Sequence, residues 1–180
     1  PLFHKDFKNE TRVTCTVLSH DLENDSDIVA LIATSAAITL SGLPFMGPLG
    51  ATKIGMIDDQ LVINPTIQEL KNSKLDLVVA GTKNGVLMVE SEAHQLSEEK
   101  MLEAVVLGQD AYLSVIDAII SLAKQAAKDP WDIPEKDSEI TNLPKLIEDE
   151  YGSKFSEAYK LTEKQKRVEK LNQLRSEIEE

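Results

Sequence analysis

Residues 74–93 read KLDLVVAGTKNGVLMVESEA, two short apolar stretches separated by a Gly-containing turn. Leu75, Leu77, Val78 and Val79 form the first stretch, and Val86, Leu87, Met88 and Val89 the second. Runs this short, rich in β-branched residues and bounded by turn signals, suit strands covered on both faces. Asn84-Gly85 readily takes positive φ, the backbone state of primed hairpin turns. The pattern predicts an antiparallel pair in the middle of a sheet.

The flanking sequence supplies more elements. Residues 12–18 alternate, with Val13, Cys15 and Val17 on one side, and predict a half-buried strand that buries the Cys15 thiol. Asn24 or Asp25 can cap a helix running to about Leu40, and Asp27 suits its positive N-terminal end. Ile28, Leu31, Ile32, Ser35 and Ile38 trace one face of that helix, and four alanines let it lie close to a sheet. Gly42-Leu43-Pro44 breaks it. Residues 49–57 and 60–64 read as strands joined by a hairpin turn at Asp58-Asp59, and a short helical piece follows Asn64-Pro65-Thr66. Ser97 caps a second long helix, apolar over much of its circumference and so deeply packed. Phe3 and Phe7 near the start are available to pack.

Near Lys128 the composition changes. Residues 129–134 form an extended, Pro-containing connector, with Trp131 as a packing anchor. From Ser138 the chain is charged and helical. Leu143, Ile147, Phe155, Tyr159 and Leu161 mark one apolar seam; Val168, Leu171, Leu174 and Ile178 mark another. The expected division is therefore 1–127 as an α+β core and 128–180 as a connector with an all-α appendage of two or three helices.

Charge and cysteine usage narrow the function. A formal net charge of -12 argues against a dedicated nucleic-acid or anionic-membrane surface, since phosphate binding draws on Lys and Arg. The lone Cys15 rules out an internal disulfide or a Cys-based metal cluster within one chain. No apolar run is expected to reach bilayer length, and the composition fits a cytoplasmic protein without membrane contact. The chain starts at Pro1 without methionine and stops inside a helical pattern, so it reads as a piece of a longer protein.

Six segments then carry a resemblance. They are Asp27-Ile28-Val29-Ala30 with Ser35-Ala36-Ala37, Ser41-Gly42-Leu43-Pro44-Phe45, Gly47-Pro48-Leu49-Gly50-Ala51, Asn64-Pro65-Thr66, the run from Lys74 to Gly81, and Met88-Val89-Glu90-Ser91-Glu92-Ala93. In that order they resemble the polynucleotide phosphorylase family. The resemblance implies an RNase PH-like (ribosomal protein S5 domain 2-like) mixed sheet with packed helices. It implies the later part of the first of two such cores plus the start of a helical domain. For the parent protein it implies phosphate-dependent 3′-to-5′ removal of nucleotides from RNA (polyribonucleotide nucleotidyltransferase activity) with Mg2+ in the second core. It also implies RNA and inorganic phosphate as partners, a homotrimeric ring, and a place in RNA-degradation complexes.

Active cores of that family place a phosphate-binding serine run before the first helix, and two aspartates and a lysine near the 74–93 strand. Positive charge, backbone amides and a metal must offset the phosphate nucleophile and the anionic RNA end. Asp76 matches one aspartate. The place of its partner is Leu70, and the lysine place is Val78. The serine run is replaced by Asp25-Ser26-Asp27-Ile28. At an effective dielectric of ~20, two like charges ~4 Å apart cost roughly 4 kcal/mol, so this acidic loop is a poor phosphate cradle. No catalytic, cofactor-binding or metal-binding residue is therefore assigned, and the segment is read as a non-catalytic, ring-building core. The alternative is a free-standing scaffolding or binding module derived from the same fold.

Other polar residues have plainer readings. Asp58-Asp59 with Glu69 resembles an oxygen-ligand set, but an Asp pair at a hairpin is ordinary turn chemistry. Glu90 and Glu92 share one strand face, solvated or at a subunit contact. His4, His20 and His94 have no ligand spacing. Lys160, Lys164, Lys166, Arg167 and Lys170 are interspersed with Glu157, Glu163 and Glu169, the pattern of a salt-bridged helix rather than an RNA contact. Gly47-Pro48-Leu49-Gly50 lacks the length and the lysine of a P-loop.

Overall fold

The computed structural model describes residues 2–133 and 138–179, with side chains for 2–133 and 142–179. Pro1 and Pro134, which the expected entry turn and connector include, lie outside the described residues. Two units are present, Pro1–Ile133 and Pro134–Glu180.

The first unit contains α1 (Ser26–Leu40), β1 (Gly50–Ile57), β2 (Gln60–Ile63), α2 (Ile67–Leu70), β3 (Leu75–Thr82), β4 (Gly85–Ala93) and α3 (Glu98–Ala126). The strands form a sheet of order β2-β1-β3-β4. Every pairing in it is antiparallel, so the expected mixed sheet is purely antiparallel among the described residues. Two of the three pairings are tight hairpins, which only antiparallel strands can form.

Strand alternation gives the sheet two apolar faces. Ile54, Met56, Leu75, Leu77 and Val79 point to α3, where they meet Ala104, Tyr112 and Ile116 in one buried cluster. Ala51 and Ala80 point the other way and meet Ile28 of α1, with Leu31, Ile32 and Val78 alongside. Gly108 lets α3 lie close to β3, since a Cβ there would lie 2.9 Å from Val79 Cγ2.

The caps follow the sequence. Asp25 accepts from the Asp27 amide to start α1, and Ser97 accepts from the Lys100 amide to start α3. Thr66 and Glu69 form a reciprocal capping box on α2, which is the use the structure makes of Glu69. Asp58 and Asp59 both have positive φ, 50° and 61°, as a primed two-residue turn demands.

Several expectations need correction. The β3–β4 pair forms, but its loop is Lys83-Asn84, and neither Asn84 nor Gly85 has positive φ. The ladder instead carries an extra residue, Leu87, opposite the Ala80–Gly81 step. Such a bulge supplies the local twist that a primed turn otherwise provides. β4 is an edge strand rather than a central one: α3 crosses β1 and β3 and leaves Leu87 and Val89 about half exposed, at 51% and 50%.

Residues 12–18 are not a strand, and Cys15 is exposed. Its Sγ lies 3.2 Å from Thr34 Oγ1 on α1. No strand of the described chain lies beside this segment, and a strand without a ladder partner has nothing to hold its backbone. The expectation that no apolar run reaches bilayer length also fails. α3 has 29 residues with a window of mean hydropathy 1.5, long and apolar enough by length and composition to cross a membrane. Its packed line, Ala104, Gly108, Tyr112, Ile116 and Ile119, is that of a core helix.

The ends of the first unit are tied together by aromatics. Phe3 stacks on Phe7 and tilts against Phe45, and Phe7 meets Trp131 edge-on. The Trp131 amide donates to Gly42 O, while its side chain remains half exposed, so the expected packing anchor is covered on one side only.

The second unit is a helical pair, α4 (Ser138–Tyr159) and α5 (Lys164–Glu179). Of its side chains, Ala158 and Leu174 are the buried apolar ones. The expected seams are thinner than their spacing suggests, with Leu143, Tyr159, Leu161 and Val168 exposed. Two helices alone lack the partners to cover them. Lys166 pairs with Glu163 and Lys154 with Glu177, in keeping with a salt-bridged surface.

Candidate functional site

The most unusual polar group of the first unit is a lysine in its sheet. Lys53, in the middle of β1, is 7% exposed. Its Nζ lies 2.7 Å from Asp25 Oδ2 and 3.5 Å from Asp76 Oδ1. Three elements meet here: the cap of α1, the centre of β1 and the start of β3.

Backbone geometry fixes each member. Asn64, just past β2, has φ 48°, and its amide donates to Lys53 O at 2.7 Å. Its side-chain oxygen in turn accepts from the Lys53 amide at 3.0 Å. Asn64 thus clamps both backbone groups of Lys53, a short polar side chain in a left-handed position that Asn tolerates well. Asp25 is held by its capping bond to Asp27 and by the loop before it. In that loop Asp21 accepts from the amides of Asn24 and Glu23 and from the Asn24 side chain. The backbone bond from Asn24 is the largest cause of an Asp21 pKa near 2.

The ladder explains how Lys53 reaches Asp76. Lys53 stands opposite Val78, and Gly55 stands opposite Asp76. Lys53 and Asp76 are therefore diagonal neighbours on one face of the sheet, and Gly55 between them packs under Pro65 and Ser73. The electrostatics agree. Burial works against the Lys53 charge, but the hydrogen bond to Asp25 and the charge of Asp76 outweigh it and raise the pKa. The same hydrogen bond is the main reason the Asp25 pKa is lowered.

The chemical capacity of this corner is limited. Leu70 ends α2 and offers no oxygen, and Val78 offers no charge. The space between the two carboxylates is taken by an ammonium group, where a divalent cation would need oxygen donors. These residues do not fit a metal. Nor do they fit phosphate, because Lys53, the one buried cation among the described residues, is already paired with two carboxylates.

Of the other candidate residues, Glu90 and Glu92 share the sheet face of this corner, and the rest stay apart. Asp59 pairs with Lys74, and His20 Nε2 bonds Asn24 O. Glu90 and Glu92 lie opposite Val78 and Asp76 and are exposed on β4. Among the described residues no group of three or more His, Cys, Asp or Glu could hold a metal ion. Lys53 is the residue that sequence reasoning missed. Its signal was a lone lysine inside the apolar strand 49–57, a position that requires an acidic partner.

An antiparallel sheet with a long helix on one face and a capped helix on the other defines a class. Residues 47–111 match the model of the 3′ exoribonuclease family, domain 2. The crystal structure of rice (Oryza sativa) Rrp46 shares the fold, with a TM-score of 0.52 and 17% identity over 57% of this chain and 50% of that one.

The sequence relatives are more particular. The chain is 53% identical to the polyribonucleotide nucleotidyltransferase of Gluconobacter oxydans, covering 100% of this chain and 25% of the relative. It is 51% identical to that of Granulibacter bethesdensis, covering 99% of this chain and 25% of the relative. The chain is similar over nearly its whole length to polyribonucleotide nucleotidyltransferases, and it spans about a quarter of the length of these curated relatives.

Proposed function

We propose that the chain is the non-catalytic core segment of a phosphate-dependent 3′-to-5′ exoribonuclease. Its own role is architectural: it presents a packed sheet and helices to the rest of a ring-forming protein. The longer protein would act on RNA and inorganic phosphate in the cytoplasm as a homotrimer, with Mg2+ held in a second core, and would join RNA-degradation complexes. The observation that carries this reading is the ion pair of Lys53 with Asp25, closed further by Asp76. A phosphorolytic site needs free positive charge for phosphate and free carboxylates for a metal. Here the two cancel one another.

Phosphorolysis by the longer protein carrying Asp76→Asn tests the reading. The expected rate is within about twofold of the unmodified protein, since one lost ion-pair contact leaves distant chemistry untouched. A loss of about a hundredfold or more, the effect of removing a catalytic group, would place chemistry at Asp76 and refute it.

A further inference from the structure

Asn84-Gly85 is the single Asn-Gly pair of the chain, and the fold makes no conformational use of it. Neither residue has positive φ, so the pair does not serve a primed turn. Asn84 is the second residue of the loop between β3 and β4, and it is exposed. Its amide donates to Thr82 Oγ1 at 3.2 Å, while its carboxamide has no hydrogen-bond partner among the described residues. A Cβ built on Gly85 would meet nothing within 4 Å. Gly85 stands opposite Thr82 in the last pair of the ladder, close to the irregularity at Ala80 and Gly81. A ladder end beside a bulge opens locally at little cost.

We propose that Asn84 is a site of spontaneous covalent modification, deamidated by its own backbone neighbour. The Gly85 amide nitrogen gives up its proton and attacks Asn84 Cγ. The N–Cγ bond forms, the Cγ–Nδ2 bond breaks, and the amide nitrogen leaves as ammonia. The cyclic imide that results takes up a water molecule. Cleavage of its bond to Cγ gives aspartate; cleavage of its bond to the main-chain carbonyl carbon gives isoaspartate, with the backbone rerouted through the side chain. No oxidant, metal or enzyme enters, and the chemistry is independent of any activity of a longer protein.

The remaining asparagines show why Asn84 stands apart. Ring closure is easiest where the following residue has no side chain to crowd it and turns freely about φ, which glycine alone provides. Every other asparagine of the chain is followed by a residue with a side chain. The nearest competitor is Asn72, which precedes the small Ser73. The Ser73 amide, however, donates to Leu70 O at 3.0 Å, and its hydroxyl is bonded to the backbone of Met56 and Leu75. That neighbour is held in place, whereas Gly85 is not crowded. The product alters the loop. It adds a negative charge next to Lys83, whose Nζ lies 3.4 Å from Asp117 Oδ1 on α3, and so competes for that cation. Isoaspartate also lengthens the backbone of a tight loop and loosens the end of the β3–β4 hairpin.

Peptide mass spectrometry of the purified chain after incubation at mildly alkaline pH tests the proposal, with isoaspartate detected by methyl transfer from an isoaspartyl methyltransferase. Conversion should occur at Asn84 ahead of every other asparagine. Its rate in the folded chain should lie within about tenfold of that in the guanidinium-unfolded chain, as a locally opening loop allows. Gly85→Ala places a methyl group in open space at an ordinary φ, so it should keep the thermal midpoint and lose the conversion. Conversion at any other asparagine before Asn84 would overturn the proposal. A folded-state rate more than about tenfold below the unfolded one would do the same, as would undiminished conversion in Gly85→Ala. The ranking of sites and the comparison with the unfolded chain need no variant, so they decide the matter even if Gly85→Ala fails to fold.

Discussion

Lys53 and Val78 face one another across the β1–β3 ladder. Val78 stands where the resemblance leads one to expect the lysine of an active core, and the chain places a lysine directly opposite, on the neighbouring strand. The charge is thus kept in the corner but turned to a different use. From β1 it reaches Asp25 at 2.7 Å and Asp76 at 3.5 Å, and both carboxylates are neutralised within the fold.

Removing that cation should be costly. Lys53→Met keeps the aliphatic bulk but leaves Asp25 and Asp76 facing each other without a counter-ion. Breaking a fully buried pair from one side costs about 3–5 kcal/mol. Here the carboxylate side chains are 29% and 44% exposed, so solvent softens the loss to about 2 kcal/mol. Urea denaturation of the two proteins measures it. Adding Asp25→Asn to Lys53→Met should recover part of the loss, because the uncompensated charge is then gone.

The same pair sets an acid limit. The folded-state pKa of Asp25 is lowered by the hydrogen bond from Lys53 and by the Asp27 amide, from an ordinary value of 3.8. A depressed carboxylate stabilises the fold above its unfolded pKa, and that contribution is lost as pH falls through the folded value. Lys53, with a raised pKa, contributes fully below its ordinary 10.5 and loses this only as pH rises through its folded value. The stability gap between the unmodified chain and Asp25→Asn should be constant from pH 7 to 5 and shrink below 3.8. Urea midpoints measured across that range check it.

The close crossing of α3 over the sheet predicts a packing defect. A Cβ on Gly108 would meet Val79 Cγ2 at 2.9 Å and Val79 Cβ at 3.0 Å. Val79 is fully buried and cannot move aside freely. Gly108→Val should therefore destabilise the first unit by about 1–3 kcal/mol through overpacking, read as a lower thermal midpoint.

Much of this architecture was legible in the sequence, and the misses have physical causes. Helices with strong caps, α1 from Asp25 and α3 from Ser97, were readable because capping is local chemistry. The Asp58-Asp59 hairpin was readable for the same reason. β4 was misread as central because apolar composition reports what a strand can bury, while its position in the sheet depends on what lies beside it. Residues 12–18 were misread for the converse reason: a strand pattern needs a partner, and none lies alongside in the described chain. At the candidate site Asp76, Leu70 and Val78 were identified by position, but Lys53 was not. Its pairing requires two strands, a helix cap and the Asn64 clamp to converge on residues as distant in sequence as Asp25 and Asp76.

Trp131 offers a separate check on the first unit. It is the single tryptophan of the chain, bonded through its amide to Gly42 and touched edge-on by Phe7 at 6.3 Å. Phe7→Ala should expose the half-covered indole further and shift its fluorescence to longer wavelength without unfolding the sheet. An unchanged spectrum would show that the Phe7 contact does not hold Trp131.

The central claim is that this segment carries the family fold without the family chemistry. The direct measurement is nucleoside diphosphate release from a single-stranded RNA by the purified chain, with inorganic phosphate and Mg2+ supplied. The account predicts no release above the protein-free control. Robust release by the purified chain, abolished by Asp76→Ala, would contradict it.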